Sequence, residues 1–153
     1  MGNWAKTNRV SGEVFLATGA SLTGDLHLQP VSRFHNGGET PLELLNREDR
    51  FFTVLLPDGE VRLVAKDQTV AVVFGAGAPD AGHSAIPVSQ QVVLEVLMAD
   101  GRSYKGEVIE HLPPNYSRAM DLLNMQDRFF ALDANGSTHY LNRSHVLHVR
   151  PFD

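Results

Sequence analysis

The chain carries one sequence pattern twice, and this internal repeat constrains its fold more than any other feature. The segment Leu44–Phe52 aligns with Leu122–Phe130 at an offset of 78, and seven of the nine positions are identical. Upstream, Gly19–Gly24 aligns with Gly101–Gly106 at an offset of 82, so the first copy has 4 more residues between the two blocks. Downstream, the offset falls to 77 at Asp58 and Asn135. A repeat of this kind predicts one supersecondary unit used twice.

The repeat divides the chain into four parts. They are an N-terminal tail (1–11), a first copy (12–74), a linker (75–90) and a second copy (91–153). The linker is rich in Gly, Ala and Pro, which predicts a flexible connection. Its Gly75-Ala76-Gly77 follows a strand, but Pro79, Pro87 and the lack of helical periodicity remove the helix on which a dinucleotide phosphate would sit.

Each copy predicts the order strand, strand, short helix, strand, strand, strand. The strands expected from alternating apolar residues and turn signals are 13–18, 22–29, 51–56, 60–64 and 69–74, and then 93–99, 103–112, 129–132, 137–141 and 145–149. Thr40, Pro41 and Glu43 form a capping-box pattern, which predicts a helix over Pro41–Asn46, and Ser117 is the expected cap in the second copy. We therefore expect a mainly β fold in which the last three strands of each copy form a meander.

The second copy resembles an Sm-like small β-barrel, in residues 93–108, 121–124 and 140–149. The resemblance implies two tandem five-stranded barrels, Sm-like or SH3-like, each with a short helix between strands 2 and 3. In that family an Asp-x-x-x-Asn stretch and an Arg-Gly turn form an RNA-binding loop pair, and the last strands of neighbouring barrels pair into rings. Here Ser144 follows Arg143 where the family has Gly, and Lys66-Asp67 stands at the first-copy position.

Composition limits the function classes. The 13 Lys and Arg residues against 18 Asp and Glu residues give a net charge of −5, so the chain has no overall basic field for a polyanion. The absence of cysteine excludes disulfides, thiolate catalysis and Cys-ligated zinc. The sequence has no secretion signal, membrane span or catalytic motif, so we expect a cytoplasmic protein that is no enzyme and has no membrane contact, cofactor or small-molecule substrate.

Two polar pairs recur unchanged beside two aromatic pairs. Asp49-Arg50 precedes Phe51-Phe52, and Asp127-Arg128 precedes Phe129-Phe130. These residues either form a doubled recognition surface or join helix to sheet, and we favour the second interpretation. One Phe of each pair is expected to face the core, and the other to face outward or into the contact between copies. His139 and His148 are expected on neighbouring strands, but two imidazoles without an acid do not predict a metal site.

The sequence therefore favours a non-enzymatic, bacterial-type adaptor or regulatory module that contacts a protein partner or another copy of itself. The alternative is an Sm-like RNA-binding protein, in which equivalent loops would contact RNA. The candidate residues for either surface are Asn46, Arg50, Phe52, Lys66, Asn124, Arg128, Phe130 and Arg143.

Overall fold

The computed structural model describes residues 8–75, 92–109, 119–134 and 136–152. These residues form a mainly β structure, as the sequence predicts. The first half contains β1 (Asn8–Leu16), β2 (Ser21–Leu28), α1 (Pro41–Asn46), β3 (Phe51–Leu55), β4 (Val61–Ala65) and β5 (Thr69–Phe74). The second half contains β6 (Val93–Met98), β7 (Ser103–Val108), α2 (Ala119–Leu123), β8 (Phe129–Ala134), β9 (Ser137–Asn142) and β10 (Val146–Phe152).

The strands form one antiparallel sheet in the order β10-β6-β7-β8-β9-β5-β1-β2-β3-β4. The expected meander is wrong at its last connection, because β5 pairs with β1 and not with β4, and β10 pairs with β6 and not with β9. A 3₁₀ turn stands at each of these points, at Lys66–Gln68 and Arg143–His145. This turn carries the chain away from the preceding strand, so the fifth strand reaches the first strand of its own copy.

The structure repeats as closely as the sequence does. Val14 pairs with Val72 in the first half, and the equivalent Val96 pairs with Val149 in the second. The fifth strand has a register irregularity at the same place in both halves. Because β-bulges are specific features of a fold, their repetition indicates that the two halves are copies of one unit.

The first helix forms as its capping signal predicts. The Thr40 side chain accepts a hydrogen bond from the Glu43 backbone N–H, and the Glu43 side chain accepts one from the Thr40 N–H. Leu44 and Leu45 are buried beneath the helix. Such a short helix is unstable alone, so its packing against the sheet must hold it. The expected second cap, Ser117, lies outside the described residues, as does the linker beyond Gly75.

The two halves share one sheet and exchange core residues. Pairing of β5 with β9 joins them, in the register Ala71 to Leu141 through Phe74 to Thr138. The apolar cluster of the first half includes three residues of the second, Phe129, Ala131 and Tyr140. The cluster of the second half includes Val70 and Ala71 of β5. Each core is therefore completed by the other half. The first strand also begins at Asn8, four residues before the expected start of the first copy.

We expect Gly24→Ala and Gly106→Ala each to lower the free energy of unfolding. A Cβ at Gly24 would lie 2.5 Å from the Leu55 carbonyl oxygen, and one at Gly106 would lie 2.6 Å from that of Asp133. Because backbone must move to accept the methyl group, the loss should be about 1–3 kcal/mol for each variant in chemical denaturation. Gly75→Ala, where a Cβ meets nothing within 4 Å, is the control, and equal stability of all three variants would contradict this reading.

Candidate functional site

Lys66 is a fully buried cation that closes the C-terminal end of α1. Its Nζ donates to the Leu44 carbonyl oxygen at 2.9 Å and to the Arg47 carbonyl oxygen at 3.1 Å. Burial lowers the pKa of Lys66 from 10.5 to about 8, and the charges of Arg128 and Arg47 act in the same direction. The side chain therefore supplies donors to carbonyl groups at the C-terminal end of the short helix.

Arg143 occupies the equivalent position in the second half and also donates to carbonyl groups at the end of a helix. Its guanidinium donates to the carbonyl oxygens of Leu122 (2.8 Å), Asp127 (2.6 Å) and Phe129 (3.1 Å). The guanidinium also lies 5.1 Å from the centroid of the Phe130 ring. Lys66 and Arg143 therefore have the same structural role in the two copies. Each donates hydrogen bonds to backbone carbonyl groups of the protein itself.

Asn46 and Asn142 hold the two halves together. The Asn46 side chain accepts a hydrogen bond from the Phe129 N–H at 2.7 Å and donates to the Phe129 carbonyl oxygen at 3.1 Å. The buried Asn142 side chain donates to the carbonyl oxygens of Lys66 (3.1 Å) and Thr69 (2.9 Å). These amides satisfy backbone groups where the two halves meet, Asn46 at the start of β8 and Asn142 at the β5–β9 junction, and these groups would otherwise be costly to bury.

Asp67 adds two polar contacts at the same junction. Its carboxylate lies 3.6 Å from the Arg128 guanidinium, and its carbonyl oxygen lies 2.7 Å from Nε2 of His145. Four of the eight candidate residues, Asn46, Lys66, Arg128 and Arg143, therefore lie at helix ends or at the contact between halves.

The other four candidate residues lie apart from one another. Phe52 and Phe130 are buried in the first and second cores respectively, so their side chains offer no surface to a partner. Arg50 is exposed just before β3. Asn124 is exposed after α2, where its amide donates to the Met120 carbonyl oxygen at 2.9 Å.

The two histidines expected side by side are separated. His139 lies on β9 and His148 on β10, which are at opposite ends of the second half of the sheet. The expectation is wrong because the 3₁₀ turn takes β10 across to β6. His139 instead packs against the Tyr104 ring, with ring centroids 5.1 Å apart, and burial lowers its pKa. Across the described part of the chain, no group of three or more His, Asp or Glu is placed to hold a metal ion.

A cavity of about 940 Å³ lies beside α1, bounded by the loop after β2. Its polar lining is predominantly acidic: Glu39, Glu43, Glu48, Asp49 and Asp127 against Arg33 and Arg47. Burial raises the pKa of Glu43, but hydrogen bonds from the Thr40 N–H, Ser32 and His35 outweigh that effect and leave the pKa below its usual value. Glu43 thus ties the loop to the helix, and Arg47 pairs with Glu39 at 3.3 Å.

A separate surface is apolar and exposed. We define the outer patch as Phe51, Thr53, Val61 and Leu63, on paired strands β3 and β4. Their side chains share the face of the sheet opposite to Phe52, Val54 and Val64, which are in the core. Phe51 is 55% exposed, Val61 49% and Leu63 70%. The patch includes two residues of β4, which forms one end of the sheet and, among the described residues, pairs with β3 alone.

The repeat shows what covers this surface in the other copy. At the offsets of 78 and 77, the equivalents of the outer patch are Phe129, Ala131, Thr138 and Tyr140. All four are buried, with exposures of 0–1%. Phe129, Ala131 and Tyr140 are covered because they pack into the apolar core of the first half, where Phe74 meets Tyr140 edge-on with ring centroids 5.4 Å apart. A surface that the second copy buries against the core of the first half is therefore open in the first copy.

The residues predicted from the sequence lie mainly in polar loops and do not include those of the outer patch. The available signal was Val61 and Leu63 alternating with Arg62 on a strand whose second-copy counterpart has Thr138, His139 and Tyr140. That pattern indicates an apolar outer face, but only the strand order shows that β4 is an edge.

Comparisons with known proteins do not assign the chain to a family: no protein-family model, curated protein or solved structure matches it. Within the described ranges, no helix is long and apolar enough to cross a membrane.

We expect Asn46→Ala to destabilise the protein more than Asn124→Ala, although the two residues align in the repeat. The first variant removes the acceptor of the Phe129 N–H, while the Phe129 carbonyl oxygen keeps the Arg143 donor, and the cost should be about 1–3 kcal/mol. The second removes an exposed contact within one helix and should change stability by less than about 0.5 kcal/mol. Chemical denaturation of both variants checks this, and equal losses would show that Asn46 does not hold the junction.

The lowered pKa of Lys66 predicts a pH-dependent stability. Between about pH 8 and 10.5 the folded protein holds Lys66 neutral while the unfolded chain still binds the proton, so the free energy of unfolding should rise with pH. Over that window the wild type should gain about 3 kcal/mol relative to Lys66→Met, which has no titrating group there. Denaturation curves at a series of pH values measure the difference, and a constant difference would place the Lys66 pKa near its ordinary value.

Proposed function

We propose that this chain is a non-enzymatic adaptor or regulatory module, built from two Sm-like small barrels in tandem, that binds another polypeptide through the outer patch. One observation carries the proposal: Phe51, Val61 and Leu63 are exposed together beside an open sheet edge, while the equivalent surface of the second copy is buried. Contiguous exposed apolar surface beside a free edge is typical of protein interaction sites.

The contacts that the basic residues make within the protein support a protein partner rather than RNA. Lys66 and Arg143, which would contact RNA in an Sm-like protein, donate to backbone carbonyl groups of their own helix ends. Arg128 lies against Asp67. Phosphate contacts need lysine and arginine groups that face the solvent. The acidic cavity beside α1, which includes the candidate Asn46, would repel a phosphate backbone further.

A location in the cytoplasm fits the proposal, because the chain has no cysteine. A cofactor plays no part in it.

The proposal predicts partner capture that depends on the outer patch. Immobilised wild-type protein should retain a partner from a lysate of its own organism, and Leu63→Asp should lose it, because the charge would be buried in an apolar contact. Leu147→Asp is the matched control, since Leu147 is 61% exposed but lies on β10. Equal retention by both variants would show that the outer patch is not the binding surface.

The same proposal predicts no appreciable binding of short single-stranded RNA at low salt. Fluorescence anisotropy with a mixed-sequence labelled RNA measures this directly. RNA binding that weakens steeply with salt, as counterion release requires, and that is lost in a Lys66→Ala, Arg143→Ala variant shown to be folded, would favour the Sm-like RNA-binding alternative.

A further inference from the structure

The β4 edge is the structural counterpart of an edge that already binds a strand. In the second copy β9 receives β5 as an antiparallel neighbour, and β9 and β4 are the same strand of the repeat. We propose that β4 binds an antiparallel strand from a different protein, in the register in which β9 binds β5. This inference rests on the proposed function and specifies its binding mode.

The internal pairing defines the register of the incoming strand. Leu141, Tyr140, His139 and Thr138 face Ala71, Val72, Val73 and Phe74 in turn. The equivalent positions on β4 are Val64, Leu63, Arg62 and Val61. Val72 and Phe74 belong to the cluster that covers Tyr140, so the incoming strand should carry apolar side chains at those two positions, over Leu63. Backbone hydrogen bonds would supply affinity and these alternate side chains would supply specificity.

A charged contact at the internal junction indicates one further feature of the partner. Asp67, two residues before β5 begins, lies 3.6 Å from Arg128. The repeat places Arg50 at the position of Arg128, and Arg50 is exposed. The partner should therefore carry an acidic residue two positions before its strand, where it would meet the Arg50 guanidinium.

The edge of β4 carries only one of the features that normally keep a sheet edge from pairing, a single charged residue. Natural edges are protected by proline, by charged side chains and especially lysine, by inward charges or by bulges. Within Val61–Ala65 the only charged residue is Arg62, and its guanidinium lies 2.9 Å from the Glu60 carboxylate. The strand is otherwise apolar and, within the part of the chain that the structure describes, nothing pairs with its outer edge.

The other end of the sheet shows the contrast and argues against β10 of a second copy as the occupant. On β10, His148, Arg150 and Pro151 stand where β5 has Ala71, Val73 and Phe74. In the same register Arg150 would face Arg62, and directly opposed like charges destabilise a strand pair. Proline cannot donate to a hydrogen-bond ladder.

A polar contact of the internal junction would also be missing between two copies. Ser144 stands at the position of Asp67, so Arg50 would find no carboxylate. The β4 surface has kept its apolar character while β10 has lost the residues that would match it.

The test uses a labelled synthetic peptide with the sequence of residues 66–75, KDQTVAVVFG, and the intact protein. We expect saturable binding by fluorescence anisotropy. Leu63→Arg should weaken binding roughly tenfold or more, because it removes an apolar contact and adds a charge. Leu147→Arg, a matched substitution on β10, should leave it unchanged. The peptide should not displace the protein's own β5, which is held at the junction as an intramolecular ligand.

Two further measurements identify the binding as strand addition. A peptide N-methylated at the Ala71 and Val73 positions is compared with one methylated at the Val72 and Phe74 positions. Only one of the two should lose binding, because successive backbone N–H groups of a strand point to opposite sides. Replacing the peptide aspartate by asparagine should weaken binding roughly two- to five-fold to the wild type and not to Arg50→Ala.

The outcomes separate the binding mode from the proposed function. No peptide binding at millimolar concentration, or equal binding to Leu63→Arg, overturns strand addition at β4, whereas Leu63-dependent capture of a partner would still support the adaptor function. Loss of both overturns the function as well. A wild-type dimer or larger assembly in analytical ultracentrifugation that Leu63→Arg converts to monomer would make a second copy the occupant and overturn the choice of a different protein.

Discussion

Pairing of β5 with β9 is the interaction on which the rest of the structure depends. The strand β5 lies between β1 and β9, so it is the last strand of the first copy and the connection to the second. Its Val72 and Phe74 enter the first core, while Val70 and Ala71 enter the second. Phe129 and Tyr140 of the second half in turn pack into the first core. The two halves therefore bury apolar surface that each would expose alone. The product is one body built from two copies.

The two copies share a backbone arrangement and differ at their edges. The registers, the irregular fifth strand and the cation at the helix end occur in both copies. The residues that differ are concentrated where the copies stop being equivalent: Asn142 and Asp67 hold the internal junction, and Ala65 and Ser144 replace them at the outer ends. If the β4 end of one molecule matched the β10 end of another, successive molecules could join edge to edge into a continuous sheet. Arg150 and Pro151 make the β10 end a poor match for β4.

The positive charges of the loops serve the fold. A short helix exposes carbonyl groups at its C-terminal end, and a lysine or arginine from the following 3₁₀ turn reaches them in each copy. Arginine keeps its charge at all accessible pH values, whereas the buried lysine has its pKa lowered to about 8. Equivalent positions thus share a geometry but differ in electrostatics. The surface that we propose for recognition is the apolar outer patch.

The sequence by itself determined the repeat, the mainly β class, most strand positions and the first helix, because these depend on local patterns. Thr40 and Glu43 define the start of α1 wherever the helix is placed, and the alternation in β3 and β4 separates an inner from an outer face. Tertiary structure alone decided that β5 leaves β4 to pair with β1, that His139 and His148 lie apart, and that Asn46 holds a junction while Asn124 does not. Strand order and burial depend on contacts between residues far apart in the chain, and Phe51 and Phe129 show the consequence. The same local sequence is exposed in one copy and buried in the other because the core of the first half covers Phe129 and not Phe51.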